Sequence, residues 1–372
     1  MTTLGIDLGT TNTAAALDGC LLPLADEESG QMVLPSVVAF PPTGQTLVGG
    51  AARARRVIDP KNTIYSAKRI LGRSWFARET REFEARYPFD LVRTPEDLPV
   101  FQTRAGLLTP TDIAARVIGV VRDQLRPEQL PREVVLGVPS TFGLEERKAT
   151  LAAARQVGFE WVRLMDEPIA TAWAYFSHRP VAARYAAVFD LGGGTFDLVL
   201  LECRGQRFEV RARGGDPYLG GDDIDQALAG WAAGEVLAHD GWDLRSDGAV
   251  FDRLLLECER AKIRLSHLTR TRIDLREVDP AAPAAASGLT LERDFLMDLC
   301  TDLVRRTFGV CDDVLGRARV KARDVDVIFL AGGTCLLPPI RAAVEQYFGR
   351  PACCEVDPMH VVAIGASVQY VA

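Results

Sequence analysis

Short, almost continuously apolar segments alternate along the chain with longer segments in which apolar residues recur at helical spacing. Continuous apolar runs are typical of strands at the centre of a sheet, where both faces are covered. They occur at Thr3–Asp7, at Val134–Val138, around Phe189 and at Val327–Leu330. The alternation with helical segments predicts an α/β protein.

Four segments are predicted to be helices, and two of them also carry a helix start or stop signal. Thr109 can cap one of them, with Pro110 at its first position and Asp112 in its first turn. Gly158 can end another, because glycine readily adopts the left-handed conformation that closes a helix. The predicted helices are the one after Thr109 and those at Glu145–Val157, Phe251–Ser266 and Leu296–Ala318.

The segment Leu4–Gly9 has a counterpart at Val188–Gly193, about half the chain away. Each is an apolar strand that ends in Asp-Leu-Gly and is followed by small residues. A second strand and a turn come next, at Asp18-Gly19 in one copy and at Arg204-Gly205-Gln206 in the other. The pattern predicts a duplicated domain in which both loops are hairpin turns. Dinucleotide-binding and Walker-type loops enter a helix instead, so the pattern argues against them.

The two repeated loops contain the residue types that bind phosphate. Successive small residues in a tight turn aim several backbone N–H groups at one point, and threonine hydroxyls add donors. Nearby aspartates would repel a bare phosphate, but they suit a hydrated Mg²⁺ ion between protein and nucleotide. A pair of glycine-rich turns with capping aspartates is the alternative. The loop residues are Gly9, Thr10, Thr11, Asn12, Gly192, Gly193, Gly194 and Thr195, and the aspartates are Asp7, Asp190 and Asp197.

Two further groups of residues could either bind a ligand or serve only the structure, and their residue types do not decide between these interpretations. Gly332-Gly333-Thr334 follows an apolar strand and would let a flat ligand approach the backbone, yet an ordinary strand-to-helix turn has the same pattern. Glu259, Lys262 and Ser266 share one helix face at spacings of three and four. By itself, that spacing is typical of a solvated polar face with a Glu–Lys pair.

Composition narrows the class of protein. The 372 residues are 48% hydrophobic and 25% charged, with a net charge of -7 and no long basic block, which argues against a nucleic-acid surface. The short basic stretch Arg53–Arg56 is interpreted as a solvated helix face. The N-terminus lacks a signal-peptide pattern, and no apolar run approaches the length of a membrane span. Eight scattered cysteines without a Cys-x-x-Cys pair and four separated histidines indicate neither zinc nor disulfides, so we expect a cytoplasmic location.

The motifs, taken in order, resemble those of the DnaK-type chaperones of the heat-shock protein 70 family, collinearly over essentially the whole chain. The resemblance lies in Gly5–Asn12, Val138-Pro139, Asp166-Glu167-Pro168, Asp190–Asp197, Glu259–Lys262 and Ala331–Thr334. It implies an actin-like ATPase fold, in which two lobes of duplicated ribonuclease H-like domains form four subdomains around a nucleotide cleft. Lobe I would span 1–180, with 36–109 as its outer subdomain and 358–372 returning to it. Lobe II would span 181–357, with 227–299 as its outer subdomain.

The resemblance also implies a role for each motif residue toward ATP or ADP, Mg²⁺ and K⁺. Asp7, Asp190 and Glu167 would hold a hydrated Mg²⁺ ion, and Asp7 and Asp197 would lie near K⁺. Lys68 would orient the attacking water, and Thr195 would lie near the γ-phosphate. Because no strong general base is evident, we expect slow hydrolysis that acts as a switch. Adenosine would contact Glu259, Lys262, Ser266, Gly332, Gly333 and Thr334, and Pro139 and Arg147 would form a relay to the outer face.

The chain departs from the family pattern in places. It ends at Ala372, where the family continues with a linker and a peptide-binding domain, so we expect the chain to lack that domain. Ser140-Thr141 replaces Ala-Tyr, Asp166 replaces Asn, and Met359-His360 stands where an acidic residue is usual. These changes predict an ATPase that a standard J-domain does not stimulate and that uses an unknown protein partner, such as another co-chaperone or an exchange factor.

Other functions remain open at this point. The alternatives are a non-hydrolysing nucleotide-dependent scaffold, the nucleotide-binding part of a longer chaperone, a small-molecule kinase of the same superfold, and an actin-like filament protein. A kinase would need an acceptor base in the cleft, and the sequence offers none beyond the residues already named.

Overall fold

Two mixed β-sheets with helices packed on them form the frame of the molecule. In this computed structural model the described residues are 2–24, 32–126, 131, 133–179, 182–205, 207–281 and 288–368. The strands are β1 (Thr3–Leu8), β2 (Asn12–Leu17), β3 (Cys20–Leu21), β4 (Leu34–Pro35), β5 (Val38–Ala39), β6 (Leu47–Val48), β7 (Thr63–Ile64), β8 (Leu91–Arg93), β9 (Pro99–Thr103), β10 (Gly106–Leu108), β11 (Glu133–Val138), β12 (Val162–Asp166), β13 (Tyr185–Leu191), β14 (Phe196–Arg204), β15 (Arg207–Asp216), β16 (Arg270–Ile273), β17 (Leu289–Glu292) and β18 (Val327–Ala331). The helices are α1 (Gly50–Arg53), α2 (Arg78–Arg86), α3 (Pro110–Asp123), α4 (Leu144–Gln156), α5 (Glu167–His178), α6 (Gly221–Asp240), α7 (Gly248–Arg264), α8 (Leu275–Val278), α9 (Arg293–Leu299), α10 (Thr301–Ala318), α11 (Pro338–Phe348) and α12 (Val361–Ser367).

The two main sheets are built in the same way. In the first, strands follow the order β12-β11-β1-β2-β3, with β1 parallel to β11 and antiparallel to β2. In the second, the order is β15-β14-β13-β18, with β13 parallel to β18 and antiparallel to β14. The predicted repeat is therefore confirmed, and both glycine-rich loops are hairpin turns that leave a central strand. Each sheet belongs to one lobe of the two-lobed actin-like fold.

The three largest hydrophobic clusters of the described residues hold the sheets and helices together. One lies between the second sheet and helices that include α6, α7 and α10, and another between the first sheet and helices that include α3 and α4. The third contains side chains from both sheets, such as Val135 and Val188, together with α5 and α12. Where these two helices meet, a Cβ atom at Gly365 would overlap the carbonyl oxygen of Ala170. The glycine therefore allows close packing at the junction of the lobes.

Smaller sheets extend from each lobe. In the first half, β5, β6 and β7 form one sheet, and β8, β9 and β10 form another. An aromatic cluster of Tyr65, Phe83, Tyr87 and Phe89 packs beside them. In the second half, β16 and β17 pair near α7. The predicted limits of the lobes and of their outer subdomains stay predictions. α12 packs on β1, β2 and β11.

Most predicted helices form, with corrections at their ends. Thr109 caps α3 and exchanges hydrogen bonds with Asp112, as predicted. The expected helix Phe251–Ser266 instead covers Gly248–Arg264. It begins three residues earlier than predicted, because Asp247 caps its N-terminus. The expected helix Leu296–Ala318 is wrong as a single element. Its chain leaves helical geometry at the fully buried Cys300, which ends α9 and precedes α10. Both helices contribute apolar residues to the same hydrophobic core, so the spacing of apolar residues in the sequence does not reveal the break.

Cys353 makes an isolated bridge to Phe329 rather than joining a longer strand, and the side chains of Cys353 and Cys354 are partly buried. The Ala/Pro stretch 280–286 falls largely outside the described residues. Within the described part of the chain, no helix is long and apolar enough to cross a membrane.

Candidate functional site

The two hairpin turns face each other across a cavity of about 510 Å³ between the lobes. Its volume lies within the range of small-molecule sites. Every site residue predicted from the sequence lines this cavity: Asp7, Gly9, Thr10, Thr11, Asn12, Lys68, Glu167, Asp190, Gly192, Gly193, Gly194, Thr195, Asp197, Glu259, Lys262, Ser266, Gly332, Gly333 and Thr334. Pro139 of the predicted relay lines it too, whereas Arg147 lies outside.

Backbone carbonyls of both turns bond to the protein. In the first turn, Ser36 donates its hydroxyl to the carbonyl of Gly9 and its backbone N–H to the carbonyl of Thr11, both at 2.8 Å. In the second turn, the Gly192 carbonyl accepts from the N–H of Gly221 at 3.0 Å and from the hydroxyl of Thr334 at 2.8 Å. Carbonyl oxygens repel phosphate, so their use in internal hydrogen bonds favours anion binding at the turns.

The first and second turns touch at Gly193. A Cβ atom there would overlap the Oγ1 atom of Thr11, so this close approach requires glycine. The Thr11 hydroxyl is buried and has no hydrogen-bond partner among the described residues. A buried polar atom without a partner is costly, and a phosphate oxygen between the turns would satisfy it.

Four carboxylates and one lysine lie where the central strands reach the cavity. Lys68 Nζ lies 2.8 Å from Glu167 Oε1, and both side chains are mostly buried. Burial disfavours the charged ammonium, but Glu167 and Asp7 attract it and raise the pKa of Lys68 above its usual value. Lys68 therefore remains charged at neutral pH and cannot serve as a general base.

The aspartates of this cluster are poorly neutralised. Burial, followed by repulsion from Glu167, raises the pKa of Asp7 to about 7 and that of Asp197 to about 8. The same two causes, together with neighbouring aspartates, raise the pKa of Asp190 well above its usual value. One lysine cannot balance four carboxylates. The donor set therefore fits a divalent cation such as Mg²⁺.

These carboxylates do not form a ready-made inner coordination shell. Among the described residues, no group of three or more histidine, cysteine or acidic side chains is arranged to hold a metal ion directly. An ion held through its own water molecules needs no such group, and Mg²⁺ usually keeps several waters.

On the opposite side of the cavity, the residues expected to contact adenosine are placed together. Glu259 and Lys262 lie on α7, whereas Ser266 lies in the turn just after that helix. Gly333 lies beneath Met359, whose side chain would be 3.5 Å from a Cβ atom at that position. The cavity wall includes the apolar side chains of Ile263 and Leu336. Such a surface suits a flat, largely apolar ring.

The Glu259–Lys262 ion pair, which the helical spacing by itself would allow, does not form. Lys262 Nζ instead lies 2.6 Å from Asp225 Oδ2 and donates to the carbonyl of Gly221 at 3.0 Å. Burial raises the pKa of Asp225 to about 7, although Lys262 attracts its charged form. Sequence reasoning missed Asp225, because it lies on α6 and reaches Lys262 only through helix packing.

Two other features connect the cavity with its surroundings. Arg147 Nη2 lies 2.5 Å from Asp166 Oδ1. Because Asp166 directly precedes Glu167 in the sequence, the expected relay residue Arg147 contacts the segment that carries this site carboxylate. Arg69 was also missed, although it follows Lys68. Its guanidinium is almost fully buried against Gly194. The sequence signal that could have identified Arg69 was its position directly after the predicted catalytic lysine.

The family model of Hsp70 proteins matches residues 3–371, essentially the whole chain. Chaperone ATPases of that kind bind ATP and ADP with Mg²⁺.

Proposed function

Because the chain belongs to the Hsp70 family, we propose that it is a DnaK-type switch protein that binds ATP in the cavity between its lobes and hydrolyses it slowly. The observation that carries this proposal is the pair of facing glycine-rich turns. The carbonyls of Gly9 and Gly192 accept hydrogen bonds from the protein, and the Lys68–Glu167 ion pair lies beside the turns. The triphosphate would lie between the turns, and adenosine would lie against α7 and Gly332-Gly333.

Each proposed role follows from position. Asp7, Glu167, Asp190 and Asp197 would hold a hydrated Mg²⁺ ion, which supplies positive charge toward the phosphates. K⁺ would occupy the neighbourhood of Asp7 and Asp197. Backbone N–H groups of the turns and the hydroxyls of Thr10, Thr11 and Thr195 would bind phosphate oxygens and stabilise charge as the terminal bond breaks.

Lys68 would orient the water that attacks the γ-phosphorus, while the bond from that phosphorus to ADP breaks. Its ammonium is anchored by Glu167, so it is held in one position. Since a charged lysine cannot remove a proton from water, the water remains a weak nucleophile. We therefore expect steady-state turnover below about 1 per second, near the low end for enzymes.

A single-turnover assay with radiolabelled ATP tests the proposal. Lys68→Ala should lower the hydrolysis rate at least about a hundredfold, in line with the loss of a principal electrostatic contact, while ATP still binds. Lys61→Ala is the matched control, because Lys61 lies nearby in the same lobe, is 64% exposed and pairs with Asp90 on the surface. Equal hydrolysis by both variants would refute the role of Lys68. ATP binding without hydrolysis by the unaltered protein would favour the scaffold alternative.

We further propose that a standard J-domain leaves the hydrolysis rate unchanged and that another protein partner recognises the nucleotide state. The support is the altered segment around Asp166, where an ion pair with Arg147 occupies the outer end of the expected relay. Phosphate release measured with and without a purified J-domain tests this, and stimulation of several-fold would contradict it. Pull-downs with ATP-loaded and ADP-loaded protein would identify the partner.

A further inference from the structure

A contact between the lobes lies beside the second glycine-rich turn. The ring of Tyr218, from the second lobe, lies close to two arginines of the first. The guanidinium carbon of Arg69 is 4.9 Å from the ring centre, and that of Arg86 is 4.6 Å away. The Tyr218 hydroxyl donates to the carbonyl of Glu79 at 2.8 Å. We call Arg69, Arg86, Tyr218 and Asp222 the cross-lobe clasp.

Polar contacts extend the clasp on both sides of the ring. Arg69 donates to the carbonyl of Pro217 and lies 3.4 Å from the carboxylate of Asp222. Its side chain is only 3% exposed, so these interactions are largely shielded from solvent. Arg86 lies 3.4 Å from Asp223 on the outer side, where it is about half exposed. The first lobe thus holds the segment 217–223 through two arginines and one backbone carbonyl.

The same segment is bonded directly to the proposed phosphate-binding turn. The N–H of Asp222 donates to the carbonyl of Gly193 at 2.6 Å, and that of Gly221 donates to Gly192. On the other side of the turn, a Cβ atom at Gly194 would overlap the guanidinium of Arg69. Any movement of the lobes that opens the cavity beside this turn must therefore separate Arg69 and Arg86 from Tyr218.

We propose that the cross-lobe clasp controls how fast nucleotide leaves the cavity, an inference that rests on the proposed function. Bound nucleotide contacts turns from both lobes, so it leaves when the lobes part. The clasp opposes that parting through two cation–π contacts and a hydrogen bond that are broken in the open form. Tyr218 acts here as a positioning residue.

The test measures the rate at which a bound fluorescent ADP analogue is released after stopped-flow mixing with excess ATP. Tyr218→Leu removes the ring and the hydroxyl, and it should release the analogue about tenfold faster, the effect of losing two such contacts at their lower values. Tyr218→Phe keeps the ring and should restore most of the slow release. Arg86→Gln should speed release about threefold.

Arg78→Gln is the matched control, because Arg78 lies on the same helix α2, is 86% exposed and forms an ion pair with Glu82 of its own helix. Its release rate should equal that of the unaltered protein. A folded Tyr218→Leu protein that releases the analogue at the unaltered rate would overturn the proposal. If that variant does not fold, an unaltered rate in Arg86→Gln overturns it. Failure of the unaltered protein to bind the analogue would instead refute the proposed function.

Discussion

Replacing Lys262 with methionine tests whether this buried lysine is primarily a structural residue. Its ammonium lies 2.6 Å from the carboxylate of Asp225, and the two side chains are 11% and 9% exposed. The other carboxylate oxygen of Asp225 is buried and has no hydrogen-bond partner among the described residues. Lys262→Met would therefore leave an acidic group in an apolar environment with no cation beside it.

The expected loss is about 3–5 kcal/mol in the free energy of unfolding, the usual cost of removing one partner of a buried ion pair. The double variant Lys262→Met, Asp225→Leu should recover most of it, because two packed apolar side chains replace the pair without a buried charge. Asp225→Leu alone should also be destabilising, since it leaves the lysine unpaired. The three variants form a double-mutant cycle whose coupling energy measures the interaction.

Urea unfolding without nucleotide is the assay. Trp231 and Trp242, two of the five tryptophans, pack against the core of the second lobe, so unfolding of that lobe contributes to the change in tryptophan fluorescence. A loss below about 1 kcal/mol in Lys262→Met, the level of an exposed ion pair, would refute this reasoning. In that case Lys262 would serve the nucleotide alone, as the sequence resemblance implies.

Three further predictions concern close packing and charge. Gly193→Ala would force a methyl group onto Thr11, and it should weaken the binding of a fluorescent nucleotide by at least about tenfold, as a loss of about 1.4 kcal/mol would; unchanged affinity would show that the turns do not bind phosphate together. Gly365→Ala would press on a carbonyl of α5 and should cost about 1–3 kcal/mol in urea unfolding, whereas Gly309→Ala on α10, which meets no atom within 4 Å, should be neutral or stabilising. Burial raises the pKa of Asp197 to about 8 from 3.8, so in the absence of added nucleotide this group should lower the stability of the protein as the pH rises from about 4 to about 8, by up to about 1.4 kcal/mol per pH unit. Asp7 and Asp190, whose pKa values are also raised, add to the slope; Asp197→Asn should therefore reduce it, and an identical slope in the variant would contradict the assignment.

The structural features that depend on a few consecutive residues could be predicted from the sequence. Both hairpin turns, the helix cap at Thr109 and the helix stop near Gly158 follow from local backbone requirements, and the structure confirms them. The repeated Asp-Leu-Gly pattern also indicated that two equivalent turns meet at one ligand. The residues of both turns line one cavity, and so do the site residues that the family resemblance implied.

Only the tertiary structure decided which partners the charged residues take. The sequence suggested that Lys262 pairs with Glu259 one helical turn away, but helix packing brings it to Asp225, 37 positions distant. Packing also produced the break at Cys300 and placed Tyr218 between Arg69 and Arg86. Turns and caps depend on the conformational limits of a few consecutive residues, whereas the pairing of buried charges depends on which elements exclude water together. That exclusion arises only after the sheets and helices have assembled.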